Sequence, residues 1–77
     1  MDYKKRLTEK QRERFAFMLR QKRLEIGLTI SEFAYKLGYS ASSISCWERK
    51  IKNPNLYKVQ DVASFFGVPL NVLIGEE

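Results

Sequence analysis

Residues 30–49, ISEFAYKLGYSASSISCWER, decide how this chain folds. Phe33, Ala34 and Leu37 stand at helical spacing. Gly38 follows, a residue that tolerates the positive φ at which helices commonly stop. Ser40 has the side chain of an N-cap. Beyond it Ile44 and Trp47, three apart, share an inward face, while Ser42, Ser45, Cys46 and Arg49 fall on the other side. The spacing predicts two short helices joined by a tight turn, with the outer face of the second free to touch something.

The flanks repeat these devices. Thr29-x-x-Glu32 is a capping box, with Leu28 and Phe33 placed as its hydrophobic staple; Tyr39, just before the Ser40 cap, is placed to pack on Ile44. Upstream, Thr8-x-x-Gln11 is a second capping box and opens a helix expected to run to Ile26 and stop at Gly27. Phe15, Leu19, Arg23 and Ile26 form its inward stripe. Phe17 and Leu24 form a second stripe off the core face. The first turns of this helix pack either on a partner subunit or on the chain's own C-terminal segment. Downstream, Ile51–Asn55 is a polar linker in which Pro54 biases Asn53 away from helix. Asn55 caps a fourth helix whose stripe is Leu56, Val59, Val62, Ala63 and Phe66, closed by Gly67. Pro69 suits the first turn of a last short helix, Leu70 to Ile74, ended by Gly75. Some of Leu70, Leu73 and Ile74 must reach the core; the remainder suits a two-fold interface. The division is a basic arm over residues 1–7 and a single domain over 8–77.

Composition narrows the function classes. Seventy-seven residues make one domain, burying only about 60–65% of its unfolded surface. A hydrophobic content of 44% with 13% aromatics belongs to a folded chain. No apolar run approaches the ~18 residues of a membrane span, and no apolar segment of secretion-signal type follows the charged start. One cysteine makes no internal disulfide, so a cytoplasmic location is expected. One cysteine and no histidine give no metal-ligand cluster. Four serines lie between Ser40 and Ser45, but no base stands beside them to activate a nucleophile, so enzyme activity is not expected. No cofactor or small-molecule ligand is indicated. The net charge of +5 is unevenly spread: residues 1–23 carry +6 and residues 24–77 carry −1. A basic N-terminal third points to a polyanionic partner or, more plainly, to a solvated helix face. The arm with Lys4, Lys5 and Arg6 either lies on DNA phosphates or is a frayed end.

Ala34, Gly38, Ile44 and Trp47, with G-L-T at Gly27–Thr29, W-E-R at Trp47–Arg49, N-P at Asn53–Pro54 and F-G-V-P-L at Phe66–Leu70, carry a resemblance. Over roughly Leu19 to Ile74 the chain resembles the helix-turn-helix proteins of the phage repressor and Cro type, the xenobiotic-response-element family of bacterial regulators. The resemblance implies an all-α fold: a compact, lambda-repressor-like five-helix bundle with the helix-turn-helix at residues 30–49. It also implies a partly buried ion pair between Arg23 and Glu48, tying the first helix to the third. Its functional implication is sequence-specific binding of double-stranded DNA by a bacterial or phage-encoded transcriptional regulator, a repressor rather than an activator. The regulator would act as a homodimer with helix 40–49 in the major groove.

Under that resemblance Ala41, Ser42, Ser45 and Cys46 take the base-reading positions, with Arg49 one turn further on. Serine hydroxyls donate or accept to several bases, Ala41 and the Cys46 thiol suit a thymine methyl, and Arg49 suits either guanine or a phosphate. Cys46 is a small space-filler or a redox switch. Ser40, Ser43, Lys50, Lys52, Asn53 and Asn55 are the expected phosphate contacts, joined by the free N–H groups at the starts of the second and third helices. Two positions depart from the family: Ile30 stands where a glutamine reaching a phosphate is common, and Lys50 where glycine usually follows W-E-R. Lys50 then either accepts a left-handed conformation or lengthens its helix. These departures, and the short readers, leave open a second class: a protein-interaction module on the same fold, such as an antitoxin or a regulator-binding protein.

Overall fold

The computed structural model describes residues 6–75. Five helices follow one another: α1 Glu9–Glu25, α2 Ile30–Leu37, α3 Ala41–Glu48, α4 Leu56–Phe66 and α5 Leu70–Ile74. The all-α fold and its five helices are as expected. Each start is set locally. Thr8 and Thr29 each accept from the backbone N–H three residues on, while Gln11 and Glu32 return a side-chain oxygen to the Thr8 and Thr29 N–H groups. Ser40 and Asn55 cap α3 and α4 by accepting from Ser43 N–H and Lys58 N–H. Pro69 is the N-cap of α5, one residue earlier than expected.

The first four helices also end alike. In each, one N–H reaches back across the final turn while the preceding N–H closes a tighter loop: Leu28 to Arg23 O and Gly27 to Leu24 O, then Tyr39 to Ala34 O and Gly38 to Tyr35 O. The same pair joins Val68 to Ala63 O and Gly67 to Ser64 O. This is the Schellman closure, which needs one left-handed residue. In α3 that residue is Lys50, at φ 61, with Ile51 N–H on Cys46 O and Lys50 N–H on Trp47 O. Of the two outcomes open to Lys50, the chain takes the left-handed one.

Phe15, Leu19, Phe33, Ile44, Val59, Val62 and Leu73 are fully enclosed, with Trp47 at their side. Phe33 stacks on Phe66 with ring centres 5.4 Å apart, and Phe15 lies 6.1 Å from Trp47. Ile26 does not complete the inward stripe of α1: it is half exposed. The helix ends at Glu25, and Ile26 as C-cap leaves the helical register. Leu28 packs against the core instead. Phe17 and Leu24 face outward, as expected of the second stripe. The first turns of α1 settle against the chain's own C-terminal helix, where Arg14 Nε donates to Val72 O at 3.3 Å. Tyr39 makes its ring contact edge-on to Trp47, at 5.3 Å, and its hydroxyl donates to the Asp61 carboxylate on α4.

Residues 1–5 of the expected arm lie outside the described residues. Its last two are not free. Leu7 is buried in the core, and Arg6 forms an isolated antiparallel bridge with Asn55. An apolar residue directly after a basic run accounts for this, because burying Leu7 contributes about 1.5–3 kcal/mol and pulls its neighbour onto the domain.

Two predictions follow from this geometry. A left-handed non-glycine residue costs about 1–2 kcal/mol, partly offset by the greater unfolded-state freedom of glycine, so Lys50→Gly should stabilise the protein by about 0.5–1 kcal/mol in urea unfolding. Burial, then the bond to Asp61, pushes the Tyr39 phenol up to about 12 from its ordinary 10.0. Tyr39→Phe should therefore lose about 0.5–1.5 kcal/mol near neutral pH. The stability difference from the unsubstituted protein should be constant below pH 10.0 and shrink as pH rises towards about 12, where the folded phenol also ionises.

Candidate nucleic-acid interface

The orientation of α3 is fixed from behind. Arg23 Nε donates to Glu48 Oε2 at 2.7 Å, Nη2 donates to Glu48 Oε1 at 2.9 Å, and Nη1 donates to Leu28 O at 2.9 Å. Both side chains are almost wholly buried, at 6% and 4% exposure. Its hydrogen bonds to the Glu48 carboxylate hold the Arg23 pKa above its ordinary value against the opposing pull of burial. Exposed Arg20 stands 4.0 Å from the same carboxylate. A forked pair of this kind fixes direction as well as distance. It joins the last turns of α1 and α3 to the loop that opens α2.

With Ile44, Trp47 and Glu48 turned inward, the opposite face of α3 is open. Ala41, Ser42 and Arg49 are exposed, and Ser45 and Cys46 are half-buried. The structure thus places four of the five expected base-reading residues on α3, with Arg49 as its C-cap. Trp47, at 3% exposure, offers no stacking surface.

The expected phosphate contacts divide. Lys50 and Lys52 are exposed. Ser40 Oγ accepts from Ser43 N–H and donates to Ser43 Oγ, at 3.1 and 3.0 Å. Asn55 Oδ1 is committed to capping α4. Asn53 is turned inward: Nδ2 donates to Leu7 O at 2.9 Å, and Oδ1 is buried without a partner among the described residues. That amide donor is engaged with the fold.

The two helix starts are also unequal. At α2 the capping box brings a carboxylate to the N-terminus. The Thr29 N–H, then the Thr29 hydroxyl, hold the Glu32 pKa below the ordinary carboxylate value. That negative charge disfavours a second anion there. The first turn of α3 holds no acid. The N–H groups of Ala41 and Ser42, at its start, have no intrahelical acceptor. From Arg49 to Gln60 the sequence holds no acidic residue. The open face of α3 therefore runs into a cationic linker.

The sequence profile of the helix-turn-helix family matches residues 19–73, covering both short helices, the ion pair and the last two helices. The chain belongs to the helix-turn-helix family. Within it the chain is of the xenobiotic-response-element type, a DNA-binding regulator of transcription. Solved helix-turn-helix structures overlay closely. The SOS-response transcriptional repressor LexA from Eubacterium rectale is 27% identical with a TM-score of 0.79, over 91% of this chain and 74% of that one. A hypothetical transcription factor from Neisseria is 28% identical with a TM-score of 0.77, over 88% and 80%. The N-terminal DNA-binding domain of SinR from Bacillus subtilis is 29% identical with a TM-score of 0.75, over 84% and 96%. Among proteins with curated descriptions, none matches the chain. Among the described residues no helix is long and apolar enough to cross a membrane, and no group of three acidic, cysteine or histidine residues is placed to hold a metal ion.

Three interface features escaped the sequence reading. Tyr39 to Asp61 spans 22 positions and Asn53 to Leu7 spans 46, so no local pattern announces either. The proximity of Arg20 to Glu48 follows only once Arg23 is known to be buried beside it. Within the helix-turn-helix the buried pair is the part most exposed to single substitution. Arg23→Met strands the Glu48 charge, and Glu48→Leu strands Arg23. Each should cost about 3–5 kcal/mol in chemical unfolding, while the double substitution should cost clearly less than the sum.

Proposed function

We propose that this helix-turn-helix regulator is a sequence-specific repressor that binds two-fold operators as a homodimer. The carrying observation is the acid-free, exposed surface formed by the outer face of α3 and the cations that follow it. A helix fits the major groove of B-DNA with its N-terminal residues at base edges. In that pose Ala41, Ser42, Ser45 and Cys46 meet bases along the first two turns. Ser42 and Ser45 offer hydroxyls, and Ala41 and Cys46 offer apolar contact to thymine methyls. Arg49 is the one side chain long enough for a bidentate guanine contact. The N-terminus of α3 with the Ser43 hydroxyl, and the ammonium groups of Lys50 and Lys52, take the flanking phosphates. One such domain reads few bases. Two copies on half-sites about one helical turn apart double the number of bases read. The repressor polarity draws support from the LexA neighbour, a transcriptional repressor. Such a regulator acts inside a bacterial cell, on chromosomal or phage DNA.

One observation favours the second reading, an interaction module such as an antitoxin. Phe17 and Leu24 stand 62% and 50% exposed on one side of α1. An apolar stripe of this kind suits a protein partner.

Selection from a random duplex pool over a salt series separates the two readings. Enrichment of a palindrome that bulk DNA competes poorly is the expected result; binding without an enriched sequence, or none, would overturn the operator reading. In the enriched duplex, Arg49→Ala should relax preference at one base position by about 1–3 kcal/mol. A uniform loss over all sequences would make Arg49 a phosphate contact instead.

A further inference from the structure

We infer that Arg6 is a DNA phosphate ligand, held beside the cationic linker by a clip that the structure builds from Leu7, Asn53 and Asn55. The inference rests on the DNA-binding reading and adds to it a residue from the far end of the chain. Arg6 and Leu7 lie outside residues 19–73, the span matched by the family profile, while Asn53 and Asn55 lie inside it.

The clip has three parts. Leu7 is 5% exposed within the core. Its carbonyl accepts from Asn53 Nδ2 at 2.9 Å, across 46 residues. Arg6 pairs with Asn55 in an antiparallel bridge. Successive side chains on extended backbone point to opposite sides. With Leu7 directed into the core, Arg6 is directed outward, and it is exposed. The bridge sets it against the linker that leaves α3, where Lys50 and Lys52 are also exposed and no acid intervenes. The ion pairs among the described residues are those of Glu48 with Arg20 and Arg23, so none neutralises Arg6, Lys50 or Lys52.

Arg6 thus joins Arg49, Lys50 and Lys52 along the linker that leaves α3. A guanidinium on a backbone fixed at three points loses less freedom on meeting a phosphate than one on a loose terminus. Asn53 is therefore a positioning residue: it acts on DNA through Arg6.

The test is the salt dependence of binding to a labelled mixed-sequence duplex, read by fluorescence anisotropy. Each phosphate neutralised contributes about −0.9 to the slope of log K against log salt. Arg6→Ala should make the slope less negative by about 0.9, and Arg6→Lys should restore it. Asn53→Ala should reproduce the loss, and Arg6→Ala with Asn53→Ala together should lose no more than Arg6→Ala alone. Circular dichroism on each variant should show the helices intact, because Arg6 is exposed and its bridge is made by backbone. Lys10→Ala, on the α1–α5 side of the molecule, should leave the slope unchanged. An unchanged slope in Arg6→Ala, with a reduced slope in Lys52→Ala, would overturn the inference and leave the DNA-binding reading standing. An equal loss in Lys10→Ala would reduce the Arg6 effect to general charge and overturn it too. No binding by the unsubstituted protein would overturn both.

Discussion

The forked ion pair between Arg23 and Glu48 is the constraint on which the rest of the structure depends. α3 is eight residues long, too short to be stable alone in water. Its position comes from what holds its buried face. Packing by Ile44 and Trp47 supplies area, but apolar contact is non-directional and tolerates rotation. The guanidinium does not, because it takes both oxygens of Glu48 and the Leu28 carbonyl at once. One side chain of α1 thereby sets the roll of α3 and the entry of the chain into α2. Tyr39 adds a second tether from the turn to Asp61 on α4. The outer face of α3 is held precisely because the face behind it is charged, buried and fully bonded.

Placing charge in so small a core has an electrostatic logic. Burying an ion pair costs several kcal/mol of desolvation per ion, recovered only with near-ideal geometry. An apolar pair in the same place would hold the fold as well. What the forked pair adds is direction, which apolar contact does not supply.

Most of the fold was legible in the sequence because its determinants are local. The capping residues Thr8, Thr29, Ser40 and Asn55 each act within three positions, and the helix stops at Gly27, Gly38 and Gly67 act within one turn. Ile26 shows where periodicity fails: the stripe of α1 runs through it, yet the Schellman closure begins one residue sooner and hands its core place to Leu28. Lys50 was legible only as a choice, since left-handed lysine and a longer helix are both compatible with the same letters. The site was less legible than the fold. Which residues line the outer face of α3 follows from Ile44 and Trp47, but Asn53 turns inward because of Leu7, far away in sequence. The unequal N-termini of α2 and α3 come from Glu32, whose capping role was plain while its electrostatic consequence was not.

In the proposed major-groove pose, the shortness of α3 also sets how much information the protein extracts from a genome. Eight residues at about 1.5 Å each span roughly 12 Å, about three or four base pairs along the duplex. Four fully read positions recur by chance once in about 256 sites, and two such half-sites once in about 65,000. A genome offers on the order of 10⁶ or more competing positions. Direct reading by α3, even doubled, therefore leaves many equivalent addresses. The missing discrimination has to come from outside the helix: from how readily a given sequence bends its phosphates onto the flanking cations.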